Sequence, residues 1–254
     1  GEKETMSGEA ASRAYLDLPG RQEDLVRELR TAEKPLVVIV MSGRPLTIAR
    51  LVEHADAVVQ AWFLGSQSGN ALADVVFGDV NPSGKLPVTF PRTVGQVPIY
   101  YNHKSTGRPP VDTLKYTSKY IDVPTSPLFP FGFGLSYTTF AYSRLRLSDS
   151  SMASGENLRV MVDVQNTGKR DGEEVVQLYI RDDVASVTRP VKELKGFRRV
   201  ALKAGEKQTV EFVLTRDALS FYNLEMNRVV EPGWFTVMVG GNSVDVLQTK
   251  FRVE

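Results

Sequence analysis

Three carboxylates, Glu2, Glu4 and Glu9, lie within the first nine residues, and Arg13 and Asp17 follow closely. Positioned carboxyl groups are the usual carriers of general acid–base chemistry. Composition alone reads these three as solvated loop acids. Asp17, between Leu16 and Leu18, reads as a helix cap or a salt-bridge partner. Arg13 reads first as a surface or structural pair, with Glu9 as the candidate partner. There are two His, far apart in sequence, and no Cys. That excludes disulfides, Cys-based zinc sites and a thiol nucleophile, and it gives no basis for a metal cluster. His54, beside Glu53 at a helix end, suits a capping role, and His103 reads as packing. Ser66-Gln67-Ser68-Gly69 could hold an anion at a helix start, but it lacks the spacing of a phosphate loop. No Gly-x-Ser-x-Gly elbow is present, which argues against a serine hydrolase. No cofactor is implied.

The elements that must carry these residues change character along the chain. Residues 21–32 place Leu25, Val26 and Leu29 on one side and charges mostly on the other, as in an amphipathic helix. Leu36 to Met41 is a short apolar run, expected as a strand buried on both faces. A helix over residues 46–52, a strand over 57–63 and a helix over 70–77 follow. Alternation of this kind predicts a parallel sheet with helices on its faces. Residues 91–135 hold seven Pro and no clear period. They read as an extended connector pinned by Tyr100, Tyr101, Tyr116, Phe129, Phe131 and Phe133. From Thr139 the apolar period becomes two: Val160, Val162, Val164; Val176, Leu178, Ile180; Val210, Phe212, Leu214; Phe235, Val237, Val239. About seven short strands with turn signals between them predict a β-sandwich of the immunoglobulin or fibronectin type. Arg181-Asp182-Asp183 and Arg198-Arg199 read there as exposed charge. The fold class is therefore α/β plus all-β, divided as residues 1–92, a connector over 93–138, and a sandwich over 139–254.

The chain of 254 residues has a formal net charge of +1, spread evenly between its halves. A nucleic-acid partner or an anionic membrane has no electrostatic support, and no apolar run approaches a membrane span. The first residue is Gly1, so either a signal peptide removed upstream or a start inside a fold is expected.

The order of motifs is similar to a known family. The pieces are Ser7-Gly8-Glu9, the run Leu16-Asp17-Leu18-Pro19-Gly20, Ser42-Gly43-Arg44-Pro45, Trp62 to Ala71, the turn from Gly78 to Pro91, and Phe129-Pro130-Phe131-Gly132-Phe133-Gly134-Leu135. Together they resemble the C-terminal part of a glycoside hydrolase family 3 β-glucosidase of the bacterial periplasmic type. The turn and the aromatic-Gly segment are the specific parts. The resemblance implies the end of an α/β sandwich domain followed by a fibronectin type III-like domain, with an N-terminal TIM barrel as the partner that carries the Asp nucleophile. It implies a retaining hydrolase acting on β-glucosides or oligosaccharides, in the periplasm or secreted.

Retention needs two carboxyl groups roughly 5–5.5 Å apart. The resemblance assigns the general acid/base to Glu9, with Glu2 and Glu4 as rivals. Arg13 is given a second reading, contact with sugar hydroxyls. Trp62 reads as core first and as a stacking surface for a sugar second. The Gly78–Pro91 turn labels the family and does no chemistry. A β-xylosidase or arabinosidase, a non-catalytic glycan-binding or structural module, and a homodimer are the alternatives left open.

Overall fold

The structure, a computed structural model, describes residues 1–111, 113–153 and 156–254. They form two compact units: Gly1–Val80 with Val88–Ile99 and Tyr120–Phe129, and Asn81–Pro87 with Tyr100–Lys119 and Pro130–Glu254. The segment expected as a connector is shared between the two.

In the first unit, α1 (Gln22–Arg30) precedes β1 (Val37–Val40), α2 (Ala49–His54) and β2 (Ala57–Gln60). The two strands pair in parallel, Val37 opposite Ala57 through Val40 opposite Gln60. Parallel pairing requires a crossover, and α2 supplies it. The helix α3 (Ser68–Phe77) ends at Gly78, whose φ of 86° is the left-handed cap that glycine adopts without a Cβ penalty. Val40, Leu46, Ile48, Leu51, Ala61 and Phe90 are buried. Phe90 meets Trp62 and Phe129 edge-on, at 6.0 and 6.3 Å. Gln96 is buried and donates to the carbonyls of Pro124 and Ser126.

Strand β1 departs from expectation. One face is covered, but Val37 and Ile39 on the other remain 44% and 39% exposed. Among the described residues the sheet has only two strands, so each of them also keeps one unpaired edge.

The second unit is a β-sandwich. Its strands are β3 (Phe140–Leu147), β4 (Ser151–Met152), β5 (Leu158–Asn166), β6 (Gly172–Asp182), β7 (Glu193–Leu202) and β8 (Lys207–Leu214). A short α4 (Arg216–Leu219) follows, then β9 (Phe221–Tyr222), β10 (Arg228–Val229), β11 (Gly233–Gly240) and β12 (Val246–Val253). One sheet runs β4-β12-β11-β6-β7 and the other β3-β5-β8, with β9 and β10 paired separately. The alternating stripes of β5, β6, β8 and β11 supply most of a single core, in which Val160, Val162, Val164, Val176 and Val237 are fully buried. Each such side chain contributes roughly 1.5–3 kcal/mol of burial.

The outer face of β6 is buried as well, which alternation did not predict. Gln177 and Tyr179 lie there, 3% and 0% exposed. Tyr101 stacks on Phe131 at 4.4 Å and meets Tyr179 edge-on at 5.6 Å. Gln177 donates to the carbonyls of Gly132 and Gly241 and accepts from Tyr179 Oη. Leu86 N–H donates to Phe133 O, and Gly132 N–H to Leu86 O, each at 2.8 Å. Residues 81–87 and 130–134 thus clamp together over the sheet. Lys85 Nζ reaches Gly134 O and the buried Glu174 carboxylate, both at 3.1 Å. Tyr142 Oη donates to the other Glu174 oxygen at 2.9 Å. Of the residues expected to pin the connector, Tyr101, Phe129 and Phe131 pack, whereas Tyr116 and Tyr100 are exposed.

Candidate active site

Glu9 lies at the tip of a short hairpin. Ser7 and Ser12 face each other as an antiparallel bridge. Gly8 N–H donates to Ala11 O at 3.1 Å, and Arg13 N–H to Met6 O at 3.0 Å. The tip residues Gly8, Glu9 and Ala10 are exposed. The small side chains of Gly8, Ala10 and Ala11 leave the Glu9 carboxylate as the one large polar group at the turn.

The base of the hairpin is held ionically. The Glu2 side chain is fully buried between Arg13 and Arg44. Arg44 grips it with two bonds, Nε to Oε2 and Nη2 to Oε1, both 2.9 Å. This fork-on-fork geometry fixes direction as well as distance. Arg13 Nη1 adds a bond of 2.8 Å to Oε1. The hydrogen bonds from Arg44 hold the Glu2 carboxyl below the usual carboxylate range, against its burial. Arg44 also donates to the carbonyls of Arg13 and Tyr15, which ties the outgoing strand of the hairpin to the same point. Arg13 closes on Asp17 at 3.0 Å. Glu2 N–H donates to Met41 O at 2.9 Å, linking the cluster to the segment after β1.

These contacts separate the rival carboxylates. Glu2 is held between two guanidinium groups, so it is poorly suited to donate a proton. Asp17 takes the salt-bridge place expected of it, but Arg13 pairs with Glu2 and Asp17 and not with Glu9, the partner expected from the sequence. The anchoring function of Glu2 and Arg44 was missed in the sequence because the partners are 42 residues apart. Arg44 did appear in a quoted motif, and an Arg set between Gly43 and Pro45 was the available signal.

The other singled-out residues have local uses. His54 Nδ1 lies 2.6 Å from Arg50 O at the end of α2. His103 Nδ1 lies 3.1 Å from Lys104 O. Trp62 is half-buried against Phe90 and carries a φ of 51°, a costly backbone state for a bulky residue. Asp182 corrects the expectation of exposed charge: it ends the core-facing stripe of β6 and is 6% exposed. Among the described residues no group of three or more His, Asp or Glu is arranged to hold a metal ion.

Comparison with known proteins decides the family. Residues 1–137 match the glycosyl hydrolase family 3 C-terminal domain, and residues 174–243 match the fibronectin type III-like domain. The chain belongs to glycosyl hydrolase family 3. Its full length is 49% identical to a periplasmic beta-glucosidase of Salmonella typhimurium, of which it covers 33%. It is 47% identical to a beta-xylosidase of Formosa agariphila, covering 98% of this chain and 34% of that protein. A crystal structure of beta-glucosidase from Listeria innocua in complex with glucose superposes with a TM-score of 0.94 at 44% identity, over 99% of this chain and 35% of that one. The family 3 chain therefore spans about a third of the length of these relatives. Its sandwich is of the fibronectin type III-like kind.

Proposed function

We propose that this chain is part of a retaining β-glucosidase that removes terminal non-reducing β-D-glucosyl residues, with Glu9 as its general acid/base. The observation that carries the reading is the Glu9 hairpin. A free carboxylate stands at the tip of a turn whose base is fixed by the Glu2–Arg44–Arg13 cluster. An acid that must meet a substrate held elsewhere needs this combination of reach and a fixed base. Closure around a substrate would strip water from the carboxyl and bring it to the leaving oxygen that it must protonate. The second carboxylate, an Asp nucleophile, belongs to an N-terminal TIM barrel supplied by the rest of the enzyme. The names of the Salmonella and Listeria relatives support glucose as the sugar, and that of the Salmonella relative supports a periplasmic or secreted location.

The test is Glu9→Ala in the full-length enzyme. Loss of general acid catalysis typically costs 10²–10⁴-fold. Natural disaccharides, with poor leaving groups, should lose about that factor, activated aryl glucosides less, and azide should restore turnover of the aryl substrate. Unchanged kinetics on the disaccharide would remove Glu9 from the mechanism. The beta-xylosidase relative favours a second reading with xylose as the sugar; kcat/KM on aryl glucoside against aryl xyloside separates the two.

A further inference from the structure

The outer face of the five-stranded sheet carries a groove of about 730 Å³. Phe235, Val237 and Val239 of β11 belong to the core. Alternation therefore turns Thr236 and Met238 outward, where they form the floor of the groove. In register, Thr236 lies between Arg181 on β6 and Lys250 on β12. Two strand spacings separate the backbones of those cations, roughly 10 Å. Lys192, just before β7, lines the groove from the other side of β6.

The charged groups of the lining are three cations, Arg181, Lys192 and Lys250, and one carboxylate, Asp183. Asp183 is already committed, accepting from Thr236 Oγ1 at 2.8 Å and from Lys250 Nζ at 2.7 Å. Two positive charges remain in excess. Arg181 approaches Asp183 only through Nε, at 3.9 Å, which is too far for a hydrogen bond. Its two Nη groups make no bond among the described residues, and its side chain is 46% exposed. Lys192 Nζ donates to the carbonyl of Ser243. It forms no ion pair among the described residues, and the residue is only partly buried. Burial holds its ammonium below the usual lysine range, a cost that an anion beside it would offset. Both uncommitted cations therefore face a groove that a ligand can enter.

We propose that this groove binds a small organic dianion, with one carboxylate on the free edge of Arg181 and the other on Lys192. A guanidinium edge offers two parallel donors that match a carboxylate, and a lysine ammonium supplies a compact point charge. Two negative charges balance the excess of two positive ones. A cationic ligand would meet three like charges, and a neutral one would leave both free cations uncompensated. The volume lies within the range of small-molecule sites, about 300–1,000 Å³. Met238 on the floor gives the carbon chain between the carboxylates an apolar seat.

The test is a calorimetric titration of the full chain at low salt with adipate, its monoamide and its diamide. The three share a length and differ in charge. Adipate should bind saturably at one site, the monoamide about tenfold or more weaker, and the diamide not at all. Arg181→Gln and Lys192→Gln should each weaken adipate binding about tenfold or more, as loss of a charged hydrogen-bond partner does. Lys34→Gln, which removes an exposed charge from the other unit, should change nothing. Circular dichroism checks that each variant is folded. No saturable binding of adipate, or equal binding of all three compounds, would overturn the proposal. So would binding unaffected by both groove substitutions, or an equal loss in Lys34→Gln. Sulfate bound as tightly as adipate would mean an adventitious ion only, and would overturn it too.

Discussion

At the scale of single residues, two buried carboxylates in this chain do opposite things because their neighbours differ. Asp163 faces Arg144 at 2.9 Å, Lys207 at 3.0 Å and Arg146 at 3.3 Å, and accepts from Thr209 Oγ1 at 2.8 Å. The Thr209 hydrogen bond, then that of Lys207, hold its carboxyl far below the usual range. The unfolded chain therefore takes up this proton first as pH falls. The stabilisation is fully present above the ordinary Asp value of about 3.9 and is lost as pH falls below it. Asp163→Asn should lower the urea midpoint most near neutral pH, and the difference from the unsubstituted chain should shrink in acid. A pH-independent difference would assign Asp163 a purely steric role. Asp182 shifts upward instead, because burial outweighs the opposing charge of Arg189. The sequence showed Asp163 and Asp182 as similar acids on alternating strands. Only the identity of the groups across the sheet or loop, far away in sequence, distinguishes them. The same holds for Glu2 and Glu9. Their adjacency in sequence was legible, but the Arg44 that holds one and leaves the other free was not.

At the scale of elements, the period-two stripes located the sandwich because each strand turns one face to a single core. What they could not show is a strand covered twice. The cover over β6 comes from residues 81–87 and 130–134, roughly fifty to a hundred positions upstream, and its fit depends on glycine. Gly132 has a φ of 79°, and a Cβ there would lie 2.0 Å from Gln177 Oε1. Gly132→Ala therefore combines a strained backbone with a clash, and should cost about 2–4 kcal/mol. Thermal unfolding of Gly132→Ala beside Gly132→Ala/Gln177→Ala divides that cost: the double variant should recover the steric part only. A single variant as stable as the parent would mean that the clamp is loose. The turn from Gly78 to Pro91 was legible as a family label. The structure gives it a physical function, since its middle delivers Lys85 to Glu174.

At the scale of the whole molecule, the two units differ in how they are supported. The sandwich owns a continuous core. The α/β unit does not: α1 buries Val26 but leaves Leu25 and Leu29 open, and Phe77 at the end of α3 is 83% exposed. The helical spacing of Leu25, Val26 and Leu29 was read correctly as a stripe; what covers it was not in the sequence. On the proposed reading the remaining part of the enzyme covers these side chains. Leu25→Glu with Phe77→Glu should then reduce self-association of the isolated chain in light scattering, and lower the melting temperature of the full-length enzyme. A full-length enzyme indifferent to both charges would argue that no partner covers these side chains.

The open edge of the two-stranded sheet of β1 and β2 bears on biosynthesis. An unpaired strand edge is a template for pairing with any passing chain. A C-terminal domain leaves the ribosome last, after the parts before it have had time to fold. On the proposed reading, in which the rest of the enzyme is made first, β1 would emerge beside a neighbour already folded. Made in the reverse order, the same edge would first meet copies of itself.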